Sequence, residues 1–306
     1  MKKILITGSS GFIGTNLLNH LNNEMFNIIP FSRANGFDYN DIDFNYLNNE
    51  FIYSIVHLAG KAHDLKNVLN EQDYFNTNTN LTIKIFDEFL NSNAKSFIYF
   101  SSVKAVKDHL DFTLTENTKP TPTSAYGKSK LAAENYILSK IKTTSKQVYI
   151  IRPCIINGPG NKGNLTLLYN LISKKFPWPL GAFFNKRSFC SVDNLCFVIN
   201  ELLERPDISS GIYNIADDEP LSTNEIIKLI GKSINKKIYI LSINKFLIRI
   251  VAKCGDIFKL PLNSERLIKL TESYVESNTK IKTAIGKELP LTSREGLIKT
   301  FQSFDK

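Results

Sequence analysis

The chain has 306 residues, 42% of them hydrophobic and 22% charged, which is enough to bury a sizeable core and excludes an intrinsically disordered polypeptide. At roughly 100–200 residues per domain, it holds one large domain or two smaller ones. A net charge of +9 invites nucleic acid or an anionic membrane surface as a partner. The lysines are spread along the whole chain, however, without a dense basic block or interleaved aromatics, so solvated lysine faces are expected and a nucleic-acid partner is not.

The first residues, Met1-Lys2-Lys3-Ile4-Leu5-Ile6-Thr7-Gly8, carry the basic flank of a secretion signal. The apolar run stops short of the ~7–15 residues such a signal needs, so 3–7 reads as a strand. Further strand-like runs cover 27–31, 54–58, 96–100 and 147–151, and helical patterns cover 11–22, 74–91 and 126–140. This alternation predicts a parallel sheet with right-handed crossovers and helices on both faces. Beyond Pro159 the pattern loosens into a helix over 193–204, a strand over 211–216 and short helices joined by Pro-containing turns. That second half is expected to form a smaller cap over the sheet's carboxyl edge, where open α/β sheets bind ligands.

No apolar run approaches the ~18–20 residues of a membrane span. Cys154, Cys190, Cys196 and Cys254 lack C-x-x-C or paired-His spacing, and His57 and His63 have no Cys or acidic partner at ligand spacing. A cytoplasmic protein with neither disulfides nor metal is therefore expected. Trp178, within Phe176-Pro177-Trp178-Pro179-Leu180, is expected to pack the cap rather than stack on a base.

The first strand runs into Gly8-Ser9-Ser10-Gly11-Phe12-Ile13-Gly14, a G-x-x-G-x-x-G spacing that opens a helix. Glycines there permit a sharp turn and let backbone N–H groups approach a pyrophosphate at the helix N-terminus. The second strand ends Pro30-Phe31-Ser32-Arg33 without the acidic residue that would bind ribose hydroxyls and favour NAD. Arg33 therefore pairs with a 2′-phosphate, which leans towards NADP, or stacks on adenine, or is a plain surface arginine.

The run 96–100 leads into Ser101-Ser102, and a later helix begins Tyr126-Gly127-Lys128-Ser129-Lys130. Tyr126 and Lys130, at i and i+4, share a helix face. An ammonium beside a phenol lowers the phenol's pKa from ~10, which suits a general acid/base for carbinol–ketone interconversion. Ser102 is placed to hydrogen-bond the same substrate oxygen, while Ser101 shapes the cofactor pocket.

These motifs resemble the extended short-chain dehydrogenase/reductases, specifically the NAD-dependent epimerase/dehydratase family of sugar-nucleotide enzymes. The similarity continues through His57-Leu58-Ala59-Gly60, Asn78 with Thr82, Arg152-Pro153, Gly158-Pro159-Gly160, Arg187-Ser188-Phe189 and Val192-Asp193-Asn194-Leu195. The resemblance implies a Rossmann-type doubly wound α/β domain over 1–163, with 191–216 returning to it, and a substrate-binding region over 164–190 and 217–306. It further implies a Ser102–Tyr126–Lys130 triad and NADP or NAD held by the glycine turn. Leu58, Ala59 and Gly60 would lie on the adenosine side, Asn78 beside the cofactor and Pro153 near the nicotinamide. Arg187 and Arg266 stand where the family places diphosphate-binding arginines. The implied partner is a sugar nucleotide, UDP-linked, and a homodimer through two helices is the family's habit.

Three reactions compete within this resemblance. The 4,6-dehydratases place Asp-Glu directly after the triad hydroxyl, whereas Val103-Lys104 stand here. Stretches around Ser101–Lys104, Gly158–Asn164 and Arg187–Phe189 resemble the 4-keto-6-deoxy-N-acetylhexosamine reductases of surface-polysaccharide synthesis. Reduction of such a UDP-linked 4-keto sugar is the main expectation, and 4-epimerisation of a UDP-hexose or UDP-N-acetylhexosamine is the alternative. Many epimerases carry Asn three residues after the Arg152 position; Ile155 stands there, leaving Asn164 to take over the sugar-nucleotide contact. Lys104 is expected to point outward. A non-catalytic dinucleotide sensor is disfavoured because Tyr126 and Lys130 are both kept.

Overall fold

The computed structural model describes all residues except 22–24, 62–69, 175, 261 and 306, so Asn22, the last residue of the first expected helix, and His63 lie outside the described residues. The strands are β1 (Lys2–Thr7), β2 (Phe26–Phe31), β3 (Ile52–His57), β4 (Ser96–Phe100), β5 (Thr113–Leu114), β6 (Gln147–Pro153), β7 (Ile155–Asn157), β8 (Phe189–Ser191), β9 (Gly211–Ile215) and β10 (Val275–Glu276). The helices are α1 (Phe12–Leu21), α2 (Phe44–Asn49), α3 (Glu71–Tyr74), α4 (Leu81–Asn91), α5 (Ala125–Ile141), α6 (Asn164–Ser173), α7 (Val192–Glu204), α8 (Thr223–Ser233), α9 (Lys245–Phe258), α10 (Ser264–Thr271), α11 (Thr279–Ile285) and α12 (Ser293–Gln302).

Six strands form one parallel sheet in the order β2-β1-β3-β4-β6-β9. The strands are near-continuous apolar runs, as a sheet covered on both faces requires: Ile4, Leu5, Ile6, Val56, Phe97, Ile98, Ile150 and Ile151 are all buried. One face packs α1 and α7 through Leu17, Leu21, Leu195, Val198 and Ile199. The other packs α2, α4 and α5 through Leu47, Ile85, Phe86, Phe89, Ala133 and Ile137. This is the expected doubly wound α/β fold. Strand order reverses between β1 and β3, and that switch point opens the crevice in which such sheets bind ligands.

A separate core of Leu165, Leu168, Trp178, Leu180, Ile226, Ile230, Ile248, Leu297 and Phe301 holds α6, α8, α9 and α12 together. Trp178 is buried there and its indole N–H donates to Asn224 Oδ1 at 3.1 Å, so it packs the cap, as expected.

The helix expected over 74–91 is instead interrupted. After α3, residues Phe75–Asn80 form a wider π-type turn before α4 resumes. Such bulges insert an extra residue into a helix and re-aim the side chains beside it. Here Asn78 donates to Ser129 Oγ (3.1 Å) and to the Lys61 carbonyl (3.1 Å), and Thr79 Oγ1 donates to the Ser129 carbonyl (2.8 Å).

A buried ion pair locks α5 onto the sheet. Glu134, fully buried on α5, accepts from Arg152 Nε at 2.9 Å and from Nη2, and the Ser101 hydroxyl donates to the same carboxylate. Glu134 lies one turn beyond Lys130 and two beyond Tyr126, so fixing it sets the rotation of the whole helix face. Glu134→Gln leaves the Arg152 charge buried and uncompensated. It is expected to destabilise the fold by about 3–5 kcal/mol, read from urea unfolding.

His57 at the end of β3 is held between Thr7 Oγ1 (2.8 Å) and Thr82 Oγ1 (3.0 Å). Burial, aided by the Lys130 ammonium, pulls its pKa down to about 3. The native state thus binds this proton less readily than the unfolded chain, whose value is near 6.5. Its stabilising contribution is complete above pH 6.5 and is lost as pH falls from there towards 3. At roughly 1.4 kcal/mol per unit the loss amounts to a few kcal/mol. Thermal denaturation is expected to show Tm falling across that window, and His57→Gln is expected to flatten the decline.

Candidate functional site

The glycine turn closes against the loop after β3. Gly8 has φ +70°, and a Cβ there would sit 2.8 Å from Ala59 N; one on Gly14 would sit 2.5 Å from Ser9 O. Ala59 N donates to Thr7 Oγ1 at 3.2 Å, which fixes the Leu58-Ala59-Gly60 loop beside the cradle. Phe12 and Ile13 anchor the start of α1 in the core below. Two hydroxyls bordering the crevice, Ser9 Oγ on the turn and Ser32 Oγ at the end of β2, are buried without a protein partner. Buried hydroxyls ordinarily find partners. The side-chain-free cradle, the start of α1 and two unanswered hydroxyls fit a dinucleotide diphosphate and ribose.

Arg33 is exposed, immediately past β2, with its guanidinium 5.6 Å from the centre of the Tyr39 ring. Tyr39 is a residue the sequence reading missed. It is buried beside Phe31, and its phenol lies close to the Gly8 backbone. Nothing in its local sequence, Phe37-Asp38-Tyr39, signals that contact.

Asn78, Gly60 and Lys130 converge. Asn78 Oδ1 accepts from Lys61 N at 2.8 Å, and a Cβ on Gly60 would lie 2.9 Å from that Oδ1 and 3.2 Å from Lys130 Nζ. Lys130 is 5% exposed; its ammonium donates to the Phe100 carbonyl at 2.8 Å and faces the Tyr99 ring at 5.1 Å. Burial lowers its pKa to about 8, against the opposing pull of Glu134.

Tyr126, in the first turn of α5, packs edge-on to Tyr74 with ring centres 6.1 Å apart, and the Ser102 side chain lies near its phenol. Its phenol does not have the lowered pKa that the i, i+4 spacing predicts. Burial raises it, Tyr74 adds to the rise, and Ser102 opposes it. Burial is the largest cause, while the Lys130 ammonium donates to the Phe100 carbonyl. Ser102, Tyr126 and Lys130 nonetheless come together at the carboxyl end of the sheet with Ser101, which is buried against Glu134. Pro153 ends the neighbouring strand, paired with Ile215.

The start of α5 is fixed by Asp108, a second residue the sequence did not single out. Its carboxylate accepts from Thr123 N (2.7 Å), Thr123 Oγ1 (2.8 Å), Ser124 N (3.0 Å) and Ser124 Oγ (2.8 Å). Burial works to raise its pKa, but these bonds outweigh it and hold it at about 2. Gly127 allows the close approach, since a Cβ there would meet the Lys104 carbonyl at 2.4 Å.

Lys104 is turned inward rather than outward as expected. Its ammonium donates to the Asp108 carbonyl at 2.5 Å and lies 4.6 Å over Tyr274, and burial lowers its pKa. Tyr274 in turn donates to the Lys107 carbonyl at 2.7 Å, so the C-terminal half grips the loop that carries Ser102. Arg187 points its Nη1 at the Lys269 carbonyl (2.6 Å) and its Nη2 at Glu272 (3.1 Å), with Nε buried and unpartnered. The remaining expected substrate contacts lie on more exposed surface: Asn164 as the first residue of α6, Arg266 on α10.

Comparison with known proteins agrees with this arrangement. The chain is 30% identical over 328 residues to UDP-glucose 4-epimerase of Vibrio cholerae, covering 99% of this chain and 95% of that protein. It is 28% identical over 317 residues to N-acetyl-alpha-D-glucosaminyl-diphospho-ditrans,octacis-undecaprenol 4-epimerase of Escherichia coli O157:H7, covering 98% and 94%. Among solved structures, UDP-N-acetylglucosamine 4-epimerase from Bacillus cereus superposes with a TM-score of 0.78 at 19% identity over the full length of both chains, a likeness of fold. Residues 4–216, which carry the glycine cradle, the strand-end serines and the Tyr126–Lys130 turn, match the profile of the NAD dependent epimerase/dehydratase family, and the chain is a member of that NAD(P)-dependent enzyme family.

Proposed function

We propose that the protein interconverts the C4 epimers of a nucleotide-diphosphate hexose or N-acetylhexosamine. The observation that carries this reading is the end-to-end likeness to a UDP-glucose 4-epimerase, with Ser102, Tyr126 and Lys130 gathered at the carboxyl edge of the sheet. This reverses the order of the two reactions expected from sequence, in which 4-keto reduction stood first. Val103 and Lys104 follow Ser102, so the acid pair that expels water in a dehydratase is missing from that position.

Gly8, Gly11, Gly14, Ala59, Gly60 and Asn78 would hold the dinucleotide, which would supply a reversible hydride acceptor. Tyr126 would take the proton from the O4 hydroxyl while C4 is oxidised and, after the 4-keto sugar has turned over, return it to O4. Ser102 holds O4 in line with the phenol. Lys130 provides the local positive charge that makes phenolate accessible once substrate closes the site. Arg187 must exchange part of its Glu272 pairing for a diphosphate, a swap suited to a planar, bidentate guanidinium.

One feature favours the second reading, reduction of a 4-keto sugar by NADPH: exposed Arg33 stands where an acidic residue would select NAD. The purified protein separates the two. Nicotinamide absorbance retained through gel filtration, with interconversion of UDP-glucose and UDP-galactose or their N-acetyl forms, supports the epimerase. A protein free of cofactor that oxidises NADPH only with a 4-keto sugar nucleotide assigns the reductase. Tyr126→Phe is expected to lower kcat by about 10²–10⁴-fold while cofactor binding persists; near-normal turnover removes the phenol from the reaction. Arg33→Asp is expected to shift preference from NADPH towards NADH, measured as the ratio of dissociation constants.

A further inference from the structure

Helix α9 carries two apolar faces. Ile248, Ala252 and Gly255 turn one of them into the cap. On the opposite side Phe246, Leu247, Ile250, Val251, Ile257 and Phe258 are 43–75% exposed, and Cys254 lies exposed among them. At 3.6 residues per turn these positions form a continuous arc of about 140° around the helix. Lys245, Arg249 and Lys253, at successive i+4 steps, form a basic stripe along one border of that arc, and Lys259 follows at the helix end. Asp256 is the acidic residue on the helix, and its carboxylate is already taken by Ser264 N (2.9 Å) and Ser264 Oγ (2.5 Å). The surface continues past the N-terminus of α9, where the Lys245 ammonium lies 5.8 Å from the rings of Phe183 and of Phe184, the latter 84% exposed.

We infer that α9 is an in-plane docking surface for an anionic lipid membrane. A solvent-facing apolar arc edged by cations is the pattern of helices that bury one face at the headgroup–acyl boundary. Its 14 residues span about 21 Å, short of a ~30 Å hydrocarbon core, and no helix among the described residues is long and apolar enough to cross a membrane. The helix therefore lies on the surface. Charge complementarity selects the occupant. A second copy meeting this face across a two-fold axis would set the basic stripe against itself or leave it unanswered, whereas anionic headgroups answer it at roughly fivefold in affinity per basic residue. The cap that α9 belongs to also contributes Tyr274 and Arg187 beside the catalytic loop, so docking would hold the substrate side of the site near the bilayer.

The test is co-sedimentation of the full chain with vesicles of phosphatidylcholine alone or mixed with phosphatidylglycerol. Wild-type protein is expected to bind the mixed vesicles, and to bind about a hundredfold more weakly with phosphatidylcholine alone or at high salt. Ile257→Asp and Phe258→Asp are each expected to cut binding about tenfold while circular dichroism and Tm stay unchanged. Arg249→Glu combined with Lys253→Glu is expected to erase the preference for anionic vesicles. Phe246→Trp, a reporter that does not depend on the aspartate variants folding, is expected to shift its emission to the blue with mixed vesicles. No sedimentation, equal binding by Ile257→Asp, or an unshifted Phe246→Trp emission would overturn the inference. A solution dimer that Ile257→Asp splits would also overturn it, by giving the face to a second copy.

Discussion

The placing of Tyr126 and Lys130 depends on one buried contact, the pairing of Arg152 on β6 with Glu134 on α5. Two charges taken out of water cost more than they return unless their geometry is good and their remaining valences are met. Here the guanidinium meets the carboxylate through two nitrogens and the Ser101 hydroxyl adds a third bond, while Arg152 Nη1 stays buried without a partner. The pair therefore contributes register more than net stability. It fixes which face of α5 meets the sheet and at what height, and Lys130 and Tyr126 follow at one and two helical turns.

A second layer of constraint comes from outside the sheet. The loop after Ser102 is gripped by Tyr274, and the first turn of α5 by Asp108, whose carboxylate draws in both Thr123 and Ser124. Ser102 and Tyr126 are therefore brought near one another because two loops of different origin are tied together. The phenol is not already acidic in this resting geometry. Burial raises its pKa, and the neighbouring ammonium is committed to a backbone carbonyl.

Basic charge in this protein serves different ends in different places. Lys104 and Arg187 are drawn inward, with pKa values lowered by burial. The lysines and arginine of α9 instead edge an apolar surface that nothing in the chain covers among the described residues.

Much of this was legible before any coordinates. Periodicity and glycine spacing determined the parallel sheet, the phosphate-binding turn and the Tyr126–Lys130 face, because each is a local pattern repeated at the step of a strand or a helix. The π-type turn at Phe75–Asn80 was hidden, since it preserves helical composition while adding one residue, and it is what aims Asn78 at α5. Asp108 and Tyr39 were invisible for a different reason: each acts on a partner distant along the chain, and no local motif marks such a contact. Lysines that looked evenly scattered along the sequence became a stripe only when α9 was wound and one of its sides was spent on the core. What sequence alone determined is the chemistry of the elements, because side-chain type and spacing are local properties. Which ammonium is free, which carboxylate is shared and which apolar face stays in solvent were decided by tertiary packing, because each partner, once engaged, is no longer available elsewhere.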